Sequence, residues 1–191
     1  MEIHRYLRRK WRAREDLSYP IICPRGGRPR LAEVFRELGY LKGVEIGTRK
    51  GDFSKVLCES IPNLQLTCVD PWTAFRKVTQ EQQDDYYKKA YEALAPFNVR
   101  LLKMTSMRAV ETYEDNSIDF AFVDGSHDFD DAMMDIILWS RKVRVGGIMA
   151  VHDYSMFPDV VRAVNAYVAS HKIAPWYLVR EYESTVFWVK S

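Results

Sequence analysis

From Gly43 onward, short apolar runs alternate with stretches whose apolar positions recur every three or four residues. That alternation is the mark of an α/β chain whose largely parallel sheet is covered by helices on both faces. Strands are predicted at 44–47, 65–69, 99–103, 118–123 and 147–152, and helices at 53–60, 80–94, 107–113 and 128–142. A further helix at 158–170 leads into two late strands, 176–180 and 185–190, whose four-residue link 181–184 suits a hairpin. Ahead of the sheet, Ile3, Tyr6, Leu7 and Trp11 recur at helical spacing with arginines on the other face, predicting an amphipathic helix over the first fourteen residues. Pro20, Pro24, Gly26, Gly27 and Pro29 then predict a loop, and Leu31, Val34, Phe35 and Leu38 a second helix closed by Gly39. Residues 1–42 are expected as a helical cap or lid on a domain spanning 43–191, the two forming one globular unit.

With 191 residues, 47% of them hydrophobic, the chain is long enough for one sizeable core and too short for a second full domain. The formal net charge of +2 is too balanced to imply nucleic-acid or membrane binding by overall charge. The exception is the N-terminal cluster of Arg5, Arg8, Arg9, Lys10, Arg12 and Arg14, read as a solvated helix face, an RNA or acidic-substrate contact, or part of a lid. No apolar run is long enough to span a bilayer and no signal-peptide core opens the chain, so a cytoplasmic protein is expected. Cys23, Cys58 and Cys68 lack metal-type spacing and read as buried thiols.

The most informative stretch is Val44-Glu45-Ile46-Gly47-Thr48-Arg49-Lys50-Gly51, followed by Val69-Asp70-Pro71-Trp72. A strand, a tight glycine turn, a helix and a second strand ending in a carboxylate make the front half of a nucleotide-cofactor site. Asp70 falls roughly twenty residues after Gly47, where such a unit presents an acid to a ribose. A dinucleotide fingerprint would read Gly-x-Gly-x-x-Gly, but only Gly47 and Gly51 are present, so the expected cofactor lacks a pyrophosphate.

Two later motifs, Val123-Asp124-Gly125-Ser126-His127 and Val145-Gly146-Gly147-Ile148-Met149-Ala150-Val151-His152-Asp153-Tyr154, complete an ordered set of four. In these four the chain resembles the class I S-adenosylmethionine-dependent methyltransferases, and within them the small-molecule, mostly oxygen-directed branch. The resemblance covers about 43–191. It implies a Rossmann-like seven-stranded sheet, mostly parallel, with the last strand antiparallel beside the fifth, and a reaction yielding S-adenosylhomocysteine. By resemblance Glu45 anchors the methionine end of S-adenosylmethionine or orders the loop, and Gly47, Thr48 and Gly51 lie along the cofactor. Asp70 accepts the ribose hydroxyls, while Trp72 packs on adenine or ribose, or else in the core. Thr105 and Ser106 line the adenine pocket, cap the following helix, or do both.

Asp124, His127, His152 and Asp153 sit at the carboxyl ends of the fourth and fifth predicted strands, the edge where open α/β sheets bind ligands. Asp124 is expected to border both the cofactor and a small-molecule acceptor, with His127 or His152 as the base. Two accounts of this convergence stand side by side. In one, a divalent metal ion such as magnesium is held by Asp124 and Asp153 and acidifies the acceptor; in the other, the aspartates orient a histidine. Tyr154 and His152 depart from the usual magnesium pattern. An RNA- or protein-directed methyltransferase and a non-catalytic Rossmann-like nucleotide-binding protein are the alternatives, and a homo-oligomer is compatible with the pattern.

Overall fold

The computed structural model describes residues 2–12, 19–24 and 26–191. Among them run α1 (Glu2–Trp11), β1 (Ile21–Cys23), α2 (Gly27–Glu37), β2 (Lys42–Ile46), α3 (Asp52–Ser60), β3 (Gln65–Asp70), α4 (Gln80–Leu94) and β4 (Val99–Lys103). The chain continues through α5 (Ser106–Val110), β5 (Ile118–Val123), α6 (Phe129–Lys142), β6 (Val143–Val151), α7 (Pro158–Ser170), β7 (Trp176–Val179) and β8 (Thr185–Val189). The strands form one sheet in the order β1-β7-β8-β6-β5-β2-β3-β4. Every pairing is parallel except those of β8 with β6 and β7. Chain order reverses between β2 and β5, which opens a crevice at their carboxyl ends.

Strand alternation divides the core. Phe120 and Phe122 face Leu31, Phe35, Phe53 and Leu57 of α2 and α3, whereas Ala121 and Val123 face Ala132, Ile136 and Trp139 of α6. Phe35 stacks on Phe120 with centroids 4.3 Å apart. Gly43, paired with Phe120, permits this: a Cβ there would stand 2.0 Å from Phe120 Cζ. Leu7 and Trp11 of α1 are buried in the same cluster as Phe187, so the N-terminal helix is part of the core. Among the described residues no helix is long and apolar enough to cross a membrane.

The antiparallel last strand and the late hairpin agree with expectation, and element boundaries shift by a few residues. Among the described residues the sheet has eight strands where seven were expected. Ile21–Cys23, expected within a loop, pairs in parallel with β7. Three residues are too few to show a period, and the open edge of β7 supplies what propensity cannot. The same segment holds the start of α2 at Gly27, where Pro29 sits in the first turn and its missing N–H removes no helical bond. The segment expected as a helical cap therefore carries a strand as well as two helices. The expected extension of the first helix to Arg14 lies outside the described residues.

Candidate functional site

The first pole of the crevice is the turn after β2. Gly47 adopts φ +88°, and a Cβ there would stand 2.0 Å from the Asp124 carbonyl oxygen, so this backbone stays bare. Its N–H donates to Val69 O at 2.8 Å, and Asp124 N–H donates to Ile46 O at 2.8 Å, which fixes the loop between the ends of β3 and β5. Gly51, at φ +81°, caps α3, and its N–H donates to Thr48 O. Thr48 is buried and its Oγ1 has no hydrogen-bond partner among the described residues, an open polar group beside the bare backbone.

Asp70 ends β3 and ties two loops together. Its Oδ2 accepts from Arg49 N–H at 2.9 Å and its Oδ1 from Trp72 N–H at 2.8 Å, leaving lone pairs on both oxygens. Burial raises its pKa, and the two backbone bonds partly offset that. Trp72 has no exposed surface: its indole N–H donates to Arg49 O at 2.8 Å and its ring meets Tyr87 edge-on. It braces the loop, and a ring so enclosed has no face to offer adenine.

Glu45 lies beneath the loop, 2% exposed, and accepts from the Ser54 hydroxyl of α3. Burial pushes its pKa up to about 8 against the lowering effects of Ser54 and Arg28. Thr105 is exposed at the start of α5 and makes no side-chain cap. The Ser106 hydroxyl is engaged on both sides, donating to Asp135 and accepting from Trp139 Nε1 at 2.7 Å. It fastens α5 to α6 behind the crevice.

The second pole gathers residues distant in sequence. His127 Nε2 lies 2.7 Å from Asp153 Oδ2, and its ring stacks on Phe157 with centroids 3.8 Å apart. Asp153, at φ +61° and 6% exposed, reaches back toward His152, whose Nε2 is 3.8 Å from Asp153 Oδ1. His152 Nδ1 meets Thr185 Oγ1 at 2.9 Å. Burial first, with help from Arg28, pulls the His152 pKa down to about 4. Asp124 is held well above the usual carboxylate range by burial and by the charges of Asp153 and Glu45. Asp153 is held below that range: burial opposes this, but the His127 hydrogen bond and the nearby His152 prevail.

Sequence reasoning missed four members of this pole: Arg28, Glu181, Glu183 and Thr185. Arg28 Nη1 stands 3.7 Å from Asp124 Oδ2, and Glu183 Oε2 stands 3.7 Å from His152 Nε2. The start of α2 places Arg28 there, and the β7–β8 hairpin places the other three. The available signal was the antiparallel return of the last strand beside the fifth predicted one, which carries the hairpin residues to His152.

One imidazole and two carboxylates, from Asp124, His127 and Asp153, have donor atoms within 4.8 Å of one another. That set fits a divalent ion, and its nitrogen suits a manganese- or zinc-like ion better than magnesium. The Arg28 guanidinium competes for the Asp124 carboxylate.

The family model for a methyltransferase domain matches residues 44–154. Among curated proteins, the uncharacterized protein y4gI of Sinorhizobium fredii (strain NBRC 101917 / NGR234) is 28% identical over 120 residues, 58% of this chain. The match spans only 13% of that relative's length. Among solved structures, the O-methyltransferase TomG of Streptomyces achromogenes, crystallised with SAM, aligns over 100% of this chain and 87% of its own, with TM-score 0.66 and 16% identity. An O-methyltransferase of Bacillus cereus in complex with SAH aligns over 98% and 90% respectively, with TM-score 0.66 and 12% identity.

Proposed function

Because this chain belongs to the methyltransferase domain family, we propose that it moves the methyl group of S-adenosylmethionine to an oxygen of a small-molecule acceptor in the cytoplasm, leaving S-adenosylhomocysteine. The observation that carries this reading is the pairing of the two poles on one strand edge. Bare backbone at Gly47, the unpartnered Thr48 hydroxyl and the free lone pairs of Asp70 suit an adenosyl ligand. Next to that backbone on the same edge, Asp124, His127, His152 and Asp153 suit a hydroxyl that must lose a proton. The SAM and SAH held by the TomG and Bacillus cereus structures support the choice of ligand.

The cofactor, when bound, supplies an electrophilic methyl group on a sulfonium. Asp70 would hold the ribose hydroxyls. Glu45 acts below the loop, ordering it through Ser54 on α3. At the acceptor, the hydroxyl proton goes to His152 Nε2, which is without a hydrogen-bond partner among the described residues, while Asp153 holds the neighbouring His127 ring through its Nε2. Phe157 keeps that ring flat against a hydrophobic wall. Asp124, whose carboxyl burial and the charges of Asp153 and Glu45 hold well above the ordinary carboxylate range, borders the acceptor beside His127. Asp124, His127 and Asp153 would also hold a divalent ion, whose charge would make the acceptor hydroxyl more acidic.

Calorimetric titration with S-adenosylmethionine, S-adenosylhomocysteine and NAD tests the reading. Binding of the first two and not of NAD is expected, followed by methyl transfer from labelled cofactor to members of a panel of hydroxylated small molecules. NAD binding with no response to the other two would overturn it.

A further inference from the structure

We propose that Thr185 and Glu181 are positioning residues that lock His152 in one tautomer, proton on Nδ1, so that Nε2 presents a bare lone pair to the hydroxyl group of the acceptor. The inference rests on the methyl-transfer reading only for the identity of the incoming group. The lock itself is a property of the protein alone.

The argument is one of counting protons. The Thr185 hydroxyl has a single hydrogen, and its Oγ1 lies 3.3 Å from Glu181 Oε1 and 2.9 Å from His152 Nδ1. A carboxylate only accepts, so the threonine hydrogen goes to Glu181 and Oγ1 is left to accept from the ring. His152 Nδ1 therefore carries the proton, and Nε2 of a neutral ring carries none. Glu181 is held in place for this: its Oε2 accepts from Arg28 N–H at 3.3 Å, and its carbonyl accepts from Ser184 Oγ at 3.1 Å. The chain of contacts thus runs from the start of α2 through the β7–β8 turn to the end of β6.

At the other nitrogen nothing answers. His152 is 2% exposed, and its Nε2 is buried without a hydrogen-bond partner among the described residues. Its charged neighbours, Asp153 Oδ1 at 3.8 Å and Glu183 Oε2 at 3.7 Å, stand beyond hydrogen-bond reach and are themselves acceptors. Nε2 thus faces one carboxylate oxygen of the buried Asp153 and one of the solvent-exposed Glu183, with no donor to it among the described residues. Buried polar atoms are almost always paired, so an orphan of this kind marks a place that a ligand completes. A hydroxyl fits it, donating to Nε2 and keeping its own lone pairs for the methyl group.

Nitrogen-15 NMR of histidine-labelled protein, without cofactor or acceptor, reads the tautomer directly. The expected result is a protonated Nδ1 and an unprotonated Nε2 for His152. Thr185→Val should erase that preference, and Thr185→Ser should restore it. With an acceptor found in the hydroxyl panel, Thr185→Val should raise KM about tenfold, the loss of roughly one well-aligned hydrogen bond, with S-adenosylmethionine affinity unchanged and Thr185→Ser near wild type. Unchanged cofactor affinity also shows that the variant folds. A proton found on Nε2 in the wild type would overturn the inference and leave methyl transfer standing. So would a shift of the His152 Nε2 signal to a metal-bound position on adding diamagnetic Zn²⁺, which would assign the lone pair to a metal ion. Failure of the cofactor titrations would sink the methyl-transfer reading while leaving the tautomer result intact.

Discussion

Replacing Glu45 with Gln keeps the shape of the side chain and an oxygen to accept the Ser54 hydroxyl, and removes only the ionisation. In the folded protein burial pushes Glu45 from the ordinary 4.5 up to about 8. Between those values the folded chain holds a proton that the unfolded chain releases. The stabilising contribution is therefore complete below pH 4.5 and is lost as pH rises through 8. Integrating that proton difference from pH 5 to pH 7 gives a loss of about 2.5 kcal/mol through this one group. Glutamine has no such dependence. The unfolding free energy of Glu45→Gln, minus that of wild type, should grow by about 2.5 kcal/mol between pH 5 and pH 7, measured by urea titration with tryptophan fluorescence on cofactor-free protein. Equal differences at the two pH values would refute the reasoning, because they would mean that Glu45 is ionised in the folded protein across the whole interval.

Asp70→Ala removes the acceptor of two backbone N–H groups as well as the expected ribose contact; calorimetry should show S-adenosylmethionine affinity lowered at least about tenfold. Gly47→Ala places a Cβ against the Asp124 carbonyl in a left-handed backbone, and should lower stability by about 1–3 kcal/mol and abolish measurable cofactor binding. Trp72→Phe deletes the part-buried indole bond to Arg49 O; a stability loss of about 0.5–1.5 kcal/mol is expected in chemical denaturation, together with faster amide exchange at Arg49 and Lys50.

How far the sequence carries a reader depends on which physical signal each residue left in it. The βα series was legible because β2, β3, β5 and β6 bury residues on both faces and α3 to α7 on one, so apolar spacing records their burial directly. The glycine loop was legible because Gly47 and Gly51 occupy left-handed conformations that other residues resist. Asp70 and the pairs Asp124–His127 and His152–Asp153 were legible because each ends a strand on the ligand-binding edge, a position that chain order alone predicts. Trp72 and Ser106 show the opposite case: a local motif suggested contact with a ligand, and neighbours far along the chain enclose the first and engage the second.

By itself, then, the sequence determined the order of the elements, the sheet edge on which Asp70, Asp124, His127, His152 and Asp153 stand, and the chemical type of the groups there, since all three follow from local spacing and from the direction of strands. Only the tertiary structure decided that Ile21–Cys23 closes the sheet beside β7, that Arg28 faces Asp124, and that Glu181 and Thr185 reach His152. Those contacts join segments from 29 to 156 residues apart in the chain. Long-range packing and the register of the final hairpin create them, and neither is written in the local pattern of apolar and polar residues.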